Sequence, residues 1–365
     1  MQQTITRQIL NLCTLLLLVT SPALADVAQQ QAAYEQYKQM MLNEPSLIRF
    51  YTFENGSGDE ITNHVDIDRS QRAVTGGPLG SLTIQRTKGS GHALSLDPKF
   101  GPPPTWSQGR WPWKSAIYSG AETSTLPWQA SKLFRSGITG VEFAKGGSLS
   151  GWFRIHEVDD QDASCNLIRM GNGYSTGLVL EYAKAKWNPE GRLEFRLAAP
   201  QGVSRVQLTA KPCVAGVWHH FAVTFDDQVV RLYLDGKLAE EKSSTGPVIP
   251  TTYENMPMIG PFYEANSPSR FGEFLMLAHN PAKSNGGAVA RYDIGEFAVF
   301  NKALESQTII KQYEAGKPQT TEAQQLALYH QQKQRQQTLD AIMIDLPSET
   351  DGYFRVNKPF TATIH

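Results

Sequence analysis

Between residues 47 and about 300, apolar positions recur with a period of two in short runs, and Gly, Pro, Asn and Asp separate the runs. Strands are predicted at 47–53, 81–87, 93–96, 147–155, 167–170, 177–182, 192–197, 206–209, 218–225, 229–234 and 294–299. In the 218–225 run, Trp218, His220, Ala222 and Thr224 share one face, and Phe221, Val223 and Phe225 share the other. Apolar groups on both faces fit an inner strand of a two-layer sandwich. Asp235-Gly236 is a two-residue type I′ turn signal between two strand patterns. Many short strands with turn signals and few helical stretches predict an all-β, antiparallel two-sheet β-sandwich or barrel.

Helical periodicity is confined to the flanks. Residues 26–46 are Gln- and Ala-rich, place Tyr34, Tyr37 and Met41 on one stripe, and end at Pro45, which predicts a short N-terminal helix. A second helix is expected from about 303, stopped by Gly316 and Pro318. A third, Gln-rich and poorly amphipathic, spans 319–342, with Thr321 and Gln324 at capping-box spacing. Residues 343–365 read as one or two strands, either added to the sandwich, the preferred reading, or opening a further domain. The segment 97–146 breaks the strand rhythm with a Pro run and four tryptophans, and reads as an irregular insertion.

Composition narrows the function classes. The chain has 365 residues and a formal charge of -1, without the basic footprint of a nucleic-acid binder. At the N-terminus, Arg7, the apolar run 9–19 and Ala23-Leu24-Ala25 form the pattern of a secretory signal peptide, residues 1–25. No later apolar run approaches spanning length, so no membrane span is expected after cleavage. Export to the periplasm, cell surface or medium would leave Cys165 and Cys213 in an oxidising compartment. They are either one disulfide or two buried thiols. A bridge would close a loop of about 48 residues, worth roughly 4 kcal/mol on the chain-entropy model.

Two segments carry a resemblance. The first is Gly216-Val217-Trp218-His219-His220-Phe221-Ala222-Val223-Thr224-Phe225 with the following Leu232-Tyr233-Leu234-Asp235-Gly236. The second is Asp293-Ile294-Gly295-Glu296-Phe297-Ala298-Val299-Phe300-Asn301-Lys302-Ala303-Leu304. Together with Gly91–Leu96 and Ser148–Phe153, they resemble the laminin-G-like jelly-roll domains of secreted bacterial proteins, in the concanavalin A-like lectin/glucanase superfamily. The resemblance covers 47–316 and is tightest over 147–307. It implies a concanavalin A-like jelly roll with short helices at both ends. By analogy of fold it implies a secreted, non-catalytic module binding a glycan or a cell-surface protein. The alternatives are a polysaccharide-active hydrolase or lyase on the same fold, and a structural envelope domain.

The family often holds a structural calcium ion, for which Asp293, Glu54 and Asp59 are the oxygen donors expected; otherwise Asp293 caps a turn and Glu54 is solvated. Trp106, Trp111, Trp113 and Trp128 are the ligand-site candidates, because exposed indoles stack on sugar rings. The competing reading folds these rings inward to pin the insertion. The acidic run 157–162 approximates a glucanase carboxylate strand but lacks strand residues, and reads as a solvated loop. Trp152 and Trp218 are expected in the core, and His219, His220 and His279 have structural roles.

Overall fold

The structure, a computed structural model, describes residues 27–53, 60–61, 64–65, 82–84, 105–111, 113–119, 134–135, 143, 146–157, 163–171, 177–186, 188–198, 205–243, 276–277, 288–340, 344–345 and 363–364. Residues up to 319 form one compact unit and those from 320 a second.

Two sheets build the first unit. One contains β1 (Leu47–Tyr51), β4 (Thr105–Gln108), β5 (Ser115–Ser119), β7 (Gly147–Ile155), β12 (Trp218–Phe225), β13 (Val229–Leu234), β14 (Lys237–Ser243) and β17 (Tyr292–Phe300). Its order among the described residues is β14-β13-β12-β7-β17-β5-β4. β17 pairs with β7 along one edge. Its other edge is shared, β5 pairing at 292–294 and β1 at 297–300. The second sheet contains β2 (Glu60–Ile61), β3 (Leu82–Ile84), β6 (Phe134–Arg135), β8 (Ala163–Gly171), β9 (Gly177–Ala185), β10 (Asn188–Ala198), β11 (Arg205–Ala210), β15 (Met276–Leu277) and β16 (Ala288–Val289). It runs β11-β10-β9-β8-β15-β6-β3-β2, and β16 pairs with β8 in parallel. All other pairings described are antiparallel.

The period-two pattern accounts for the main core. Leu149, Phe153, Phe221, Val223 and Phe225 of the first sheet meet Leu178, Leu180, Leu193, Phe195 and Leu208 of the second in one buried cluster. The first sheet is buried on its other face as well. Helix α1 (residues 27–42) and helix α2 (Ser306–Gly316) cover it, and Tyr34, Tyr37, Met41 and Ile309 pack there with Ala222, Tyr233, Ala298 and Phe300. Helices α1 and α2 therefore lie on a sheet face, and this unit has three layers. β12 and β17 read apolar on both faces because each is a middle layer, buried at every position.

The insertion at 97–146 is less irregular than its sequence reads. β4 and β5 form a hairpin within it that extends the first sheet beside β17. Its strands are only 4 and 5 residues long, and a Trp-Pro-Trp connection hides them from a periodicity search.

The β13–β14 turn is the type I′ hairpin expected from its sequence. Asp235 and Gly236 have φ of 51° and 72°. Asp235 ties the turn to β12: its Oδ1 accepts from the His220 backbone N–H at 2.8 Å, and its Oδ2 lies 2.8 Å from His219 Nδ1. A Cβ on Gly236 would sit 2.8 Å from the Tyr313 ring of α2. Gly236→Ala is thus strained in backbone and in packing. We expect a loss of roughly 1–3 kcal/mol, read by urea denaturation; an unchanged midpoint would show that the turn and α2 give way freely.

In the second unit, helix α3 (Glu322–Asp340) opens with the capping box read from the sequence. The Thr321 backbone N–H donates to Gln324 Oε1 at 2.8 Å, and the Gln324 N–H donates to Thr321 Oγ1 at 3.3 Å. β18 (Ile344–Asp345) and β19 (Thr363–Ile364) pair with each other. No helix among the described residues is long and apolar enough to cross a membrane.

Candidate functional site

β10 alternates strictly. Leu193, Phe195 and Leu197 point into the sandwich, which leaves Arg192, Glu194 and Arg196 on the opposite face. The register sets Glu181 of β9 and Thr209 of β11 on either side of Glu194, and Gln207 of β11 beside Arg196. These groups form one network. Arg196 Nη2 donates to Glu194 Oε2 at 2.7 Å and also to Glu181 Oε1. Arg192 Nε donates to Glu194 Oε1, and Gln207 Nε2 donates to Glu194 Oε2 at 3.1 Å.

The two glutamates titrate in opposite directions. Burial pushes Glu194 up, but the hydrogen bonds and charges of Arg192 and Arg196 outweigh it and hold the carboxyl below its usual range. Burial dominates at Glu181, and with repulsion from Glu194 it raises that carboxyl despite Arg196.

Beside this network lies a groove of about 300 Å³, lined by Asn188, Arg192, Glu194, Gln207, Thr209 and Lys211. Each of its six lining residues carries a polar side chain. Asn188 is only 7 % exposed, and its Nδ2 has no hydrogen-bond partner among the described residues. β14 closes the neighbouring edge of the sandwich: Glu240 Oε2 accepts from the Thr209 backbone N–H at 2.5 Å, and Lys242 Nζ donates to the Gln207 carbonyl at 2.6 Å. Amide, guanidinium and hydroxyl groups on a rigid sheet are suited to in-plane hydrogen bonds with a hydroxyl-rich ligand. The Arg-x-Glu-x-Arg alternation of 192–196 was visible in the sequence. The residues that complete it became visible only with the register.

Of the tryptophans predicted to bind ligand, Trp111 and Trp113 do not line this groove. Trp111 is 2 % exposed. Its ring meets Tyr34 edge-on at 5.5 Å and lies 5.9 Å from Trp113, which is half-buried against the same cluster. The expectation of an exposed Trp111 platform is corrected: burying this ring under α1 anchors the β4–β5 hairpin. Trp106 lies on β4 opposite Ile117, and Trp128 is outside the described residues.

Asp293 is fully buried. Its Oδ1 accepts from Ser107 Oγ at 2.7 Å. Its Oδ2 accepts from Arg154 Nε at 2.8 Å, with Arg154 Nη2 at 2.7 Å and His156 Nε2 at 3.0 Å. Burial pushes this carboxyl up, yet the His156, Arg154 and Ser107 donors and charges hold it below its usual value. An arginine already provides the positive charge that a cation would supply, so the surroundings of Asp293 do not suit calcium. Glu54 and Asp59 lie outside the described residues. No group of three or more His, Cys, Asp or Glu placed to hold a metal occurs among the described residues.

Cys165 and Cys213 are both free and buried, which corrects the expectation of a bridge. Burial raises both thiols and keeps them protonated. Cys213 also borders a pocket of about 250 Å³ with His156, Tyr182 and Lys184. His220 is buried against Trp152 at 5.1 Å, and burial pushes its imidazole down to about 3, so it is neutral. His279 and the run 158–162 lie outside the described residues.

Residues 136–310 match the family model of the concanavalin A-like lectin/glucanases superfamily, of laminin-G type. Among curated proteins nothing matches. Similar solved structures include the binding domain of Paraclostridial Mosquitocidal Protein 1, 11% identical with a TM-score of 0.46, over 73% of this chain and 52% of that one. The binding domain of botulinum neurotoxin DC in complex with SialylT is 11% identical with a TM-score of 0.45, over 74% and 51%. The botulinum neurotoxin serotype D/C binding domain is 12% identical with a TM-score of 0.45, over 74% and 52%. The chain spans about half the length of these structures.

Proposed function

We propose that the concanavalin A-like lectin/glucanase domain of this chain is a carbohydrate-binding module, and that the groove on β10 and β11 is its glycan site. The observation that carries this reading is the polar groove itself. Six side chains able to hydrogen-bond converge on about 300 Å³ of a rigid sheet, and one of them, Asn188, is a buried amide whose donor is unpartnered among the described residues. If residues 1–25 direct export, the module meets its glycan outside the cytoplasm.

Calorimetric titration of the full chain with a panel of oligosaccharides tests the reading. At least one should bind, and Thr209→Ala with Gln207→Ala should weaken it about tenfold or more, the effect of losing one or two hydrogen bonds from a desolvated site. No binding across the panel, or binding indifferent to the double variant, would overturn it.

A hydrolytic reading has one observation in its favour. Glu181 and Glu194 face each other across β9 and β10, and their carboxyls are shifted in opposite directions. Release of reducing ends from a bound polysaccharide, abolished in Glu181→Gln, would replace binding by catalysis.

A further inference from the structure

We infer that the glycan taken by this groove is anionic, bearing a carboxylate or a sulfate ester, and that Lys211 and Asn188 receive the anionic group. The inference rests on the binding reading above and specifies its ligand class.

The charges around the groove are unequally committed. Glu194 accepts from Arg192, Arg196 and Gln207, so its oxygens are engaged by the protein. Glu181 is held by Arg196. Glu240, at the β14 edge, binds the Thr209 N–H and pairs with Lys242 at 2.8 Å. Each of these three carboxylates therefore has its own internal donors. Lys211 is different: it is an exposed lining cation with no ion pair among the described residues. Among the residues that line the groove itself, Arg192 and Lys211 stand against Glu194, an excess of one positive charge.

Hydrogen-bond capacity leans the same way. The Nδ2 group of Asn188 is a donor, buried where water reaches it poorly, and unpartnered among the described residues. A buried donor without an acceptor is costly, and a ligand supplying the acceptor recovers that cost on binding. The ammonium of Lys211 can only donate. The one carboxylate that lines the groove already accepts three hydrogen bonds from the protein. An anionic group offers each of these donors an acceptor and forms charge-assisted hydrogen bonds.

The experiment titrates the full chain with three oligosaccharides of one backbone: a neutral form, its uronate form and its sulfated form. Each is measured at roughly 0.02 M and roughly 0.3 M NaCl, which brackets strong and weak screening. One or both acidic forms should bind about tenfold tighter than the neutral one at low salt, the effect of one charge-assisted hydrogen bond. That advantage should shrink at high salt. Lys211→Met, at an exposed position, should erase the preference for the acidic forms, and Asn188→Ala should weaken the acidic form as well. A lead for the uronate form identifies a carboxylate ligand, and a lead for the sulfated form a sulfate ester. Equal affinity for all three, or a preference that survives Lys211→Met, overturns the anionic assignment but leaves the binding site standing. Failure of all three to bind, with other glycans of the panel bound, also overturns it; failure of every glycan overturns the binding reading as well.

Discussion

Asp293→Ala is expected to destabilise the protein by roughly 3–5 kcal/mol, the cost of removing one partner from a buried ion pair. The carboxylate lies at the centre of the first sheet and accepts from Ser107, Arg154 and His156. Without it, the Arg154 guanidinium, 5.0 Å above the Trp218 ring, keeps its charge but loses this carboxylate. Asp293→Asn preserves the volume and one acceptor, so its loss should be smaller. Urea denaturation measures both, and a cost below about 1 kcal/mol for the alanine variant would mean that Arg154 is solvated or paired elsewhere.

The same site gives a pH dependence. The folded carboxyl lies below its unfolded value of 3.8, so the unfolded state binds the proton more readily. The contribution is fully present above pH 4 or so and is lost as pH falls further through the folded pKa. A stability curve that is flat from pH 5 to pH 2 in the wild type would contradict this.

Glu296→Ala should cost a similar amount, about 3–5 kcal/mol, for a related reason. Arg110 and Glu296 are 1 % and 2 % exposed and 2.9 Å apart. The guanidinium lies 4.3 Å from the Trp152 ring, 4.5 Å from Trp111 and 5.1 Å from Tyr37. Those ring faces attract a cation but do not neutralise it. Replacing both partners, Arg110→Met with Glu296→Leu, should recover most of the loss, because no charge is then left buried. Two of the three rings are indoles, so tryptophan fluorescence and near-ultraviolet circular dichroism should change in the single variant before it unfolds. A double variant as unstable as Glu296→Ala alone would show that packing, not charge, sets the cost.

Both sites lie on β17, and the sequence reveals their chemistry only in part. The pattern of 292–300 marks a strand, and its Asp and Glu are visible. Their partners are not, because they are fixed by long-range register: Asp293 is opposite Arg154 of β7 and Tyr118 of β5. The family resemblance made Asp293 an ion ligand, and an arginine from another strand changed its role. A slip in register between Ile294 and Phe297 supplies a further element that the sequence does not announce. It brings Phe297 and Val299 into the same core as Tyr292 and Ile294, while Glu296 reaches Arg110.

By contrast, the β13–β14 hairpin and the capping box of α3 were fully legible. Their determinants, Asp235-Gly236 and Thr321 with Gln324, are neighbours in the chain. The groove lies between these extremes. Leu193, Phe195 and Leu197 revealed which face of β10 is polar, but only pairing with β9 and β11 gathers Glu181, Gln207 and Thr209 around it. Trp111 misled because aromatic content does not tell a platform from a wedge.

The shared edge of β17 has a consequence for biosynthesis. β1, β5 and β7 are all made before it, and each needs β17 to complete its pairing. A chain emerging N-terminus first must therefore carry their unpaired backbone donors and acceptors until residues 292–300 are released. Such open edges invite association with other chains, so the nascent protein is a natural client for a chaperone until its last sandwich strand arrives.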